Sequence, residues 1–451
     1  MVSLQAPEDI SIEDIEAQLR QIWQRIRKTG DAEGLSASRA ATFSLIVYEP
    51  EETQQLLAAL GFYDGSLDGI VGPRTRAAIE AAQQAYGFPA TGTPQPELLE
   101  QLRAQWHQQQ DRLGSAQENG AAALHAYRQL QGSQIVEKLA ESNPCRIVTL
   151  CPVAGEDRGV SAQVSAHCPI DHHGHGSALV CCEYITLHGT AQALERAGGL
   201  IAGLMLGDLP KFLWWRATPQ PDDTLFQRLA SDSDLTILDS STFGDAEADL
   251  LRVGKLLGRG LPIADLNWRR LAPWQELAAE AFDPPERRDA LQEVDRVTID
   301  HEKGNRAQAL MYLGWLASRL QWQPVAYTRE GGDYDIRRVT FEGSNQRTVE
   351  AELAAIPTAD WGDIPGDLID LRLSSTNLDA DCCTVLCSET TGCMRMEAAG
   401  GAQACRIQQV TPLFDQKTEE LLSQQLQYQR QEALYGESME TAHELLALGA
   451  D

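Results

Sequence analysis

Residues 209–215 read Leu209-Pro210-Lys211-Phe212-Leu213-Trp214-Trp215. From Phe212 to Ala217 the chain is almost continuously apolar, and Gly207, Asp208 and Pro210 punctuate its start. A short apolar run set off in this way is the signature of a strand buried on both faces, as in a parallel sheet covered by helices. The flanks agree with that reading. Upstream, residues 146–150, 160–166 and 179–187 have strand character and 191–206 has helical periodicity. Downstream, a helix over 222–230, a strand over 235–239, a helix over 245–258 and a strand over 262–267 continue the alternation. Strands alternating with helices predict a mainly parallel α/β domain.

Beyond it the pattern becomes α+β. Helices are expected over 275–282, 306–320 and 414–434, with strands over 294–299, 323–328, 335–342, 368–373, 382–387 and 392–409. At the other end, Ile12, Ile15, Leu19, Ile22, Trp23 and Ile26 recur at helical spacing over residues 10–28. Residues 41–48 read as a strand. Between these lies a compact unit over 51–104, and then a Gln- and Ala-rich stretch that reads as a linker with some helix. The expected division is therefore 1–50, 51–104, a linker 105–134, an α/β domain 135–264 and a C-terminal α+β domain 265–451.

The net charge of −28 argues against nucleic acid and anionic membranes as partners, because both demand a basic footprint. It suits a partner with basic patches. The longest apolar runs, such as 200–206, fall far short of the ~20 residues of a membrane span. The opening Met1-Val2-Ser3-Leu4-Gln5-Ala6-Pro7 has neither the basic nor the hydrophobic region of a secretory signal, so a cytoplasmic protein is expected. In that compartment the ten cysteines stay reduced, as regulatory thiols, metal ligands or buried apolar groups.

Three further segments stand with residues 209–215: Asp265-Leu266-Asn267-Trp268, Ala272-Pro273-Trp274 and Leu313-Gly314-Trp315-Leu316-Ala317-Ser318-Arg319-Leu320. Together they hold five of the nine tryptophans, and no nucleophile–base pair accompanies them. Aromatic anchors without chemistry serve packing or partner binding. Trp214, Trp215, Arg216, Asp265, Asn267, Trp268, Arg269 and Trp274 are the candidates for a partner interface. Trp214 and Trp215 in one strand face opposite sides, which leaves a core role open for both.

In this order and spacing, with Asn143-Pro144-Cys145-Arg146-Ile147-Val148 ahead of them, these clusters resemble the glucose-6-phosphate dehydrogenase assembly proteins, the OpcA family, over about residues 135–435. The resemblance implies a non-catalytic effector without cofactor that binds the glucose-6-phosphate dehydrogenase oligomer, assists its assembly and activates it. Residues 51–104 resemble the peptidoglycan-binding-like helical module, through Leu60-Gly61-Phe62-Tyr63-Asp64-Gly65, Leu67-Asp68-Gly69-Ile70-Val71-Gly72-Pro73 and Thr75-Arg76-Ala77-Ala78-Ile79. That implies a retained docking or structural module, with glycan binding as the alternative. The combination resembles the longer cyanobacterial type, for which the family implies redox control through thioredoxin. The fold class expected is α/β and α+β multidomain: a small helical module, a mainly parallel α/β domain and a C-terminal α+β domain.

Three candidate sites remain. Asp171-His172-His173-Gly174-His175-Gly176, near Cys168, offers zinc-type ligands but lacks a spaced second pair and reads as a solvated loop. Asp300-His301-Glu302-Lys303-Gly304 is superficially similar to a dehydrogenase signature, but its lysine precedes the glycine and the Tyr-Leu element is missing. With no glycine-rich strand-to-helix turn either, a dehydrogenase is rejected, and Asp300 and His301 are expected to cap the following helix. The third is the cysteine cluster. A hairpin centred on Ala399 would set Cys393 opposite Cys405, at a separation suited to a redox-active disulfide, with Cys387 as the alternative partner.

Overall fold

The computed structural model describes residues 2–3, 8–33, 37–39, 41–63, 67, 72–113, 135, 144–168, 179–343, 346–357, 364, 366–377, 379–380, 382, 384–389, 393–398, 406–412 and 417–449. The chain forms two compact units. The first comprises Met1–Leu238, Leu261–Ile263 and Thr418–Arg430, and the second Asp239–Gly260, Ala264–Lys417 and Gln431–Asp451.

The sheet of the first unit uses β1 (Ser44–Tyr48), β2 (Arg146–Pro152), β3 (Ser161–Cys168), β4 (Leu179–Gly189), β5 (Lys211–Trp215) and β6 (Leu235–Leu238), and β7 (Ile263–Asp265), of which Ile263 belongs to this unit, is its last strand. Their spatial order is β3-β4-β2-β1-β5-β6-β7. β4, β2, β1, β5 and β6 run parallel, and β3 is antiparallel to β4. Short strands at Val2–Ser3 and Glu8–Ser11 pair with β3, and one at Ala37–Arg39 with β4. The mainly parallel α/β sheet expected from the alternation is present. Its centre is not where the domain division placed it. β1, assigned to a separate N-terminal segment, is the middle strand, with all five residues buried. With β3 set aside, the remaining strands run third, second, first, fourth, fifth, sixth in chain order. That is the order of doubly wound sheets that bind dinucleotides.

Helix α1 (Ile15–Glu33) packs at the edge of this unit. It is held by a buried ion pair: Arg146 Nε donates to Glu183 Oε2 at 2.8 Å, Arg146 Nη1 to Glu16 Oε1 at 2.6 Å, and Trp23 Nε1 to Glu183 Oε1 at 2.6 Å. The β1-to-β2 connection carries α2 (Glu52–Ala59), α3 (Pro73–Ala85) and α4 (Pro96–Leu113). Leu56, Leu57, Ile79, Leu98, Leu102 and Trp106 form their shared core. Buried Gln83 locks the turn between α3 and α4: its Oε1 accepts from Thr91 N at 2.8 Å and Gly92 N at 3.0 Å, and its Nε2 donates to Thr93 O at 3.0 Å. The three-helix module is therefore inserted in the first crossover of the sheet instead of preceding it. α4 runs into the expected linker, and residues 114–134 lie outside the described residues. Helices α5 (Ala191–Arg196), α6 (Gly198–Gly203), α7 (Thr224–Ser231) and, later in the chain, Thr418–Tyr428 also belong to this unit.

In the second unit, α8 (Ala246–Gly258), α9 (Leu266–Arg269), α10 (Ala272–Phe282), α11 (Ala307–Leu320) and α12 (Ala433–Ala447) accompany an eight-stranded sheet. Its strands are β8 (Arg296–Glu302), β9 (Gln323–Gly331), β10 (Ile336–Glu342), β11 (Thr348–Ile356), β12 (Leu368–Ser374), β13 (Thr384–Glu389), β14 (Cys393–Ala398) and β15 (Arg406–Pro412). They lie in the order β9-β10-β11-β8-β12-β13-β14-β15, and β8–β11 is the parallel pair. This is the α+β half that the sequence predicts.

Every residue of α11 from Ala307 to Ala317 is buried, as a helix apolar on all sides requires. α12 crosses it at Gly314, where a Cβ would stand 2.5 Å from Ser438 O. Ser438 Oγ donates to Met311 O at 2.6 Å across the same contact. Gly314→Ala should therefore destabilise the second unit by about 1–3 kcal/mol, although alanine is the better helix former by ~1 kcal/mol. Urea unfolding monitored by tryptophan fluorescence reads the sign directly.

Candidate functional site

An open α/β sheet takes its ligand outside the carboxyl ends of the strands, where the strand order reverses. Here that point lies between β1 and β5. A dinucleotide would need a glycine-rich turn after β1, a free helix N-terminus for its pyrophosphate and an open crevice. The residues present are Glu49-Pro50-Glu51-Glu52-Thr53. Glu51 caps α2: its Oε1 accepts from Thr53 N and its Oε2 from Gln54 N, both at 2.9 Å. Glu49 pairs with Arg216, whose guanidinium stands 5.0 Å from the centre of the Trp214 ring. Tyr48 and Trp215 stack at 3.7 Å with an interplanar angle of 8°. From the module, Leu67 O accepts the backbone N–H of Thr218 at 3.2 Å. Burial raises the pKa of Glu49 and of Glu51. The Cys151 thiol is pushed up to about 12, by burial first and then by the charges of Glu49 and Glu52. An anionic cofactor does not fit: the chain's own carboxylates hold the place its phosphates would take.

A second polar cluster lies inside the second unit. Arg270 forks onto Asp239, Nη1 to Oδ1 at 2.8 Å and Nη2 to Oδ2 at 3.0 Å. Asp265 Oδ1 accepts from Ser240 N at 3.0 Å and Asn267 N at 2.9 Å. Gln308 Nε2 donates to Asn267 Oδ1 at 2.9 Å and Asp367 Oδ1 at 2.6 Å. Asn305 Nδ2 reaches the carbonyls of Ser240, Ser241 and Phe243 at 2.9–3.1 Å. Gly366 (φ +87°) closes over Asn305, because a Cβ there would fall 1.7 Å from Asn305 O.

Burial opposes the charge of Asp239, but the Arg270 guanidinium outweighs it and keeps the pKa low. Asp265, without a cation of its own, is pushed up to about 6 by burial and by Asp239. Two carboxylates with separated pKa values suit acid–base work. These are enclosed, however: Asp239, Asp265, Asn267, Arg270, Asn305 and Gln308 are all buried and bonded to one another or to backbone. The cluster is a structural core.

Burial also decides the expected interface. Trp214, Trp215, Trp268 and Trp274 are only 2–3% exposed, and Asp265 and Asn267 belong to the cluster above. Arg216 and Arg269 are engaged by Glu49 and Glu432. Trp268 Nε1 donates to Glu432 Oε2 at 2.9 Å, and Tyr312 Oη to Trp274 O at 3.2 Å. The nominated set is interior packing and does not form a surface for a partner.

Asp300 and His301 do not cap α11 either. They end β8, and Asn305 Oδ1 accepts Ala307 N at 2.7 Å instead. His301 is kept neutral, its pKa lowered to about 4 by burial. In the cysteine cluster, the β14–β15 register sets Cys393 opposite Pro412 and Ala398 opposite Arg406. The connection is centred beyond Ala399, so Cys393 does not face Cys405. Cys405, Cys383 and the 171–176 histidine loop lie outside the described residues. Cys387 faces Arg395, and its thiol donates to Asp370 Oδ2 at 3.1 Å. Among the described residues no group of three His, Cys, Asp or Glu side chains is placed to hold a metal ion, and no helix is long and apolar enough to cross a membrane. A groove of about 580 Å³ between α5 and α7, bordered by Gln192, Glu195, Arg196, Thr224 and Arg228, contains none of the nominated residues.

The sequence reading missed Glu51 and a second ionic centre, Glu247. The Glu-Glu-Thr run at a helix start was the available signal for the first. Glu247 is bonded by Arg306 Nη1 at 2.5 Å, Arg337 Nε at 2.9 Å and Arg329 Nε at 2.9 Å, which come from separate parts of the chain and leave no local pattern. Burial opposes its charge, but the arginines lower its pKa to about 2. A depressed carboxylate gives stability that is present above its ordinary value of 4.5 and lost as pH falls toward 2. The raised Asp265 has the opposite sign: its contribution is present below 3.8 and lost as pH rises through about 6. Thermal unfolding across pH should show Glu247→Gln flattening the acid limb. Asp265→Asn should gain on the parent chain as pH rises from about 4 to about 6.

Family models place the same segments. A model described as the glucose-6-phosphate dehydrogenase subunit N-terminal domain (OpcA) matches residues 136–255, and its C-terminal counterpart matches 261–439. A peptidoglycan binding domain model matches 49–102. The OxPP cycle protein OpcA of Nostoc punctiforme is 59% identical over 440 residues, covering 97% of this chain and 93% of that one. The protein of that name from Synechocystis sp. is 56% identical over 449 residues, covering 99% and 94%. That from Synechococcus elongatus is 51% identical over 439 residues, covering 97% and 96%. With identity this high along nearly the whole of each relative, the chain belongs to the OpcA family of glucose-6-phosphate dehydrogenase assembly proteins.

Proposed function

We propose that this chain is a non-catalytic activator and assembly factor of glucose-6-phosphate dehydrogenase in the oxidative pentose phosphate pathway, acting in the cytoplasm. Family membership supports the choice of partner. The observation that carries the non-catalytic reading is the crevice between β1 and β5, where Glu51 caps the helix and a Tyr48–Trp215 stack and a Glu49–Arg216 pair fill the strand ends. A chain that cannot seat a dinucleotide there acts on its pathway by binding the enzyme that does.

The mechanism is allosteric. The bound chain favours the dehydrogenase conformation with higher affinity for sugar phosphate, and a coupling of ~1–3 kcal/mol shifts that affinity about 5- to 150-fold. The charge of −28 favours a basic face on the partner. Thioredoxin is the proposed redox partner, with oxidised protein the stronger activator. Cys387 and Cys393, on the paired strands β13 and β14, remain candidates for the responsive thiols, together with Cys405. Glycan binding is the weaker alternative, because the module is built into the sheet's first crossover and one of its carbonyls is bonded to Thr218.

The test is steady-state kinetics of the cognate dehydrogenase at low glucose 6-phosphate, with and without this chain, oxidised or reduced by thioredoxin. The expected result is a KM for the sugar phosphate at least about fivefold lower with oxidised protein, with a smaller effect after reduction. Unchanged kinetics together with no complex on size-exclusion chromatography would contradict the reading.

A further inference from the structure

β2 and β4 run side by side in parallel with Arg146 registered on Glu183, and Glu183 N donates to Cys145 O at 3.1 Å. One step back along both strands, Cys145 and Cys182 are therefore neighbours. Adjacent strands lie ~4.8 Å apart, within the ~4.4–6.8 Å Cα separation that a disulfide spans. Each cysteine is 1% exposed. Registered positions project to the same face, and the two thiols interact with each other there. That interaction lowers the pKa of Cys182, although burial opposes it, and with burial holds that of Cys145 well above the usual thiol range. On the alternate face, Arg146 and Glu183 form the ion pair that secures Trp23 and Glu16 of α1, so the register of these two strands is already fixed.

We propose that Cys145 and Cys182 form a reversible disulfide that clamps β2 to β4 when the protein is oxidised. The two thiols lose two protons and two electrons as the sulfur–sulfur bond forms. A small disulfide oxidant accepts them and leaves as two thiols, and dithiols reverse the exchange. Since both sulfurs are buried, reaction proceeds through local opening of the strand ends and is slow. The cross-link spans the same separation as Arg146 and Glu183, 37 residues. Closing a loop of that length raises the midpoint of thermal unfolding of the first unit by about 5–10 °C. This inference stands apart from the dehydrogenase reading and survives its failure.

The experiment incubates the full chain with oxidised glutathione, blocks free thiols with N-ethylmaleimide under denaturing conditions, and maps the peptides by tandem mass spectrometry. The expected product is a Cys145–Cys182 cross-link, two hydrogens lighter than the thiols and lost on dithiothreitol treatment. It should be accompanied by the rise in unfolding midpoint, with both effects absent in Cys145→Ser and retained in Cys387→Ser. Maleimide on both Cys145 and Cys182 after oxidation, or a cross-link from either to another cysteine, would overturn the proposal. So would the cross-link without a change in midpoint, since the clamp is then absent. The mapping uses the parent chain and does not depend on any variant folding.

Discussion

The first turn of α2 carries one set of unpaired backbone N–H groups, and Glu51 takes two of them. In a doubly wound sheet, that turn after the first strand is where a ligand phosphate is bound. Supplying the anion from the chain itself turns a ligand site into a structural joint. The neighbouring contacts follow from it. With no ligand to admit, Tyr48 and Trp215 stack across the strand ends, and Arg216 settles on Glu49. The module that begins at α2 is anchored against Thr218. β1 can then leave the sheet directly into a helix without a glycine-rich turn.

The second unit solves a similar problem with enclosed charge. Asp239, Asp265, Asn267, Asn305, Arg270 and Gln308 would each be costly to bury alone, and each is satisfied by another member or by backbone. Such a network contributes little net stability relative to an apolar core, but it is severe on misplacement, since a missing member leaves a buried charge unpaired. It therefore fixes the path of the chain through α9, α11 and the Gly366 turn to within a hydrogen bond. The three arginines on Glu247 do the same for α8, the start of α11 and the β9–β10 hairpin.

Much of the architecture was legible. The apolar run at Phe212–Trp215 is a buried strand, the alternation around it is the α/β sheet, and the tryptophan clusters carry the family resemblance that the relatives bear out. What failed was long-range. Ser44–Tyr48 looks like an isolated strand because its partners begin at Arg146 and Lys211, and no local pattern announces a central position. Tryptophans in a strand and beside a proline look alike whether they face a partner or the interior, and burial settled them as interior. The hairpin failed because glycines mark a turn without fixing its length, and a shift of register moves every facing pair. The Cys145–Cys182 contact was invisible for the same reason: only the pairing of β2 with β4 brings the two together.

The most direct test of the closed crevice is an equilibrium titration of the purified chain with NADP+ and NADPH, by calorimetry and by tryptophan fluorescence, since Trp215 lies at the strand end in question. The account predicts no saturable binding up to millimolar nucleotide and no change in the unfolding midpoint. Saturable binding at micromolar nucleotide, lost on substituting residues at the β1–β5 crevice, would contradict it and return the chain to the class of dinucleotide-dependent enzymes.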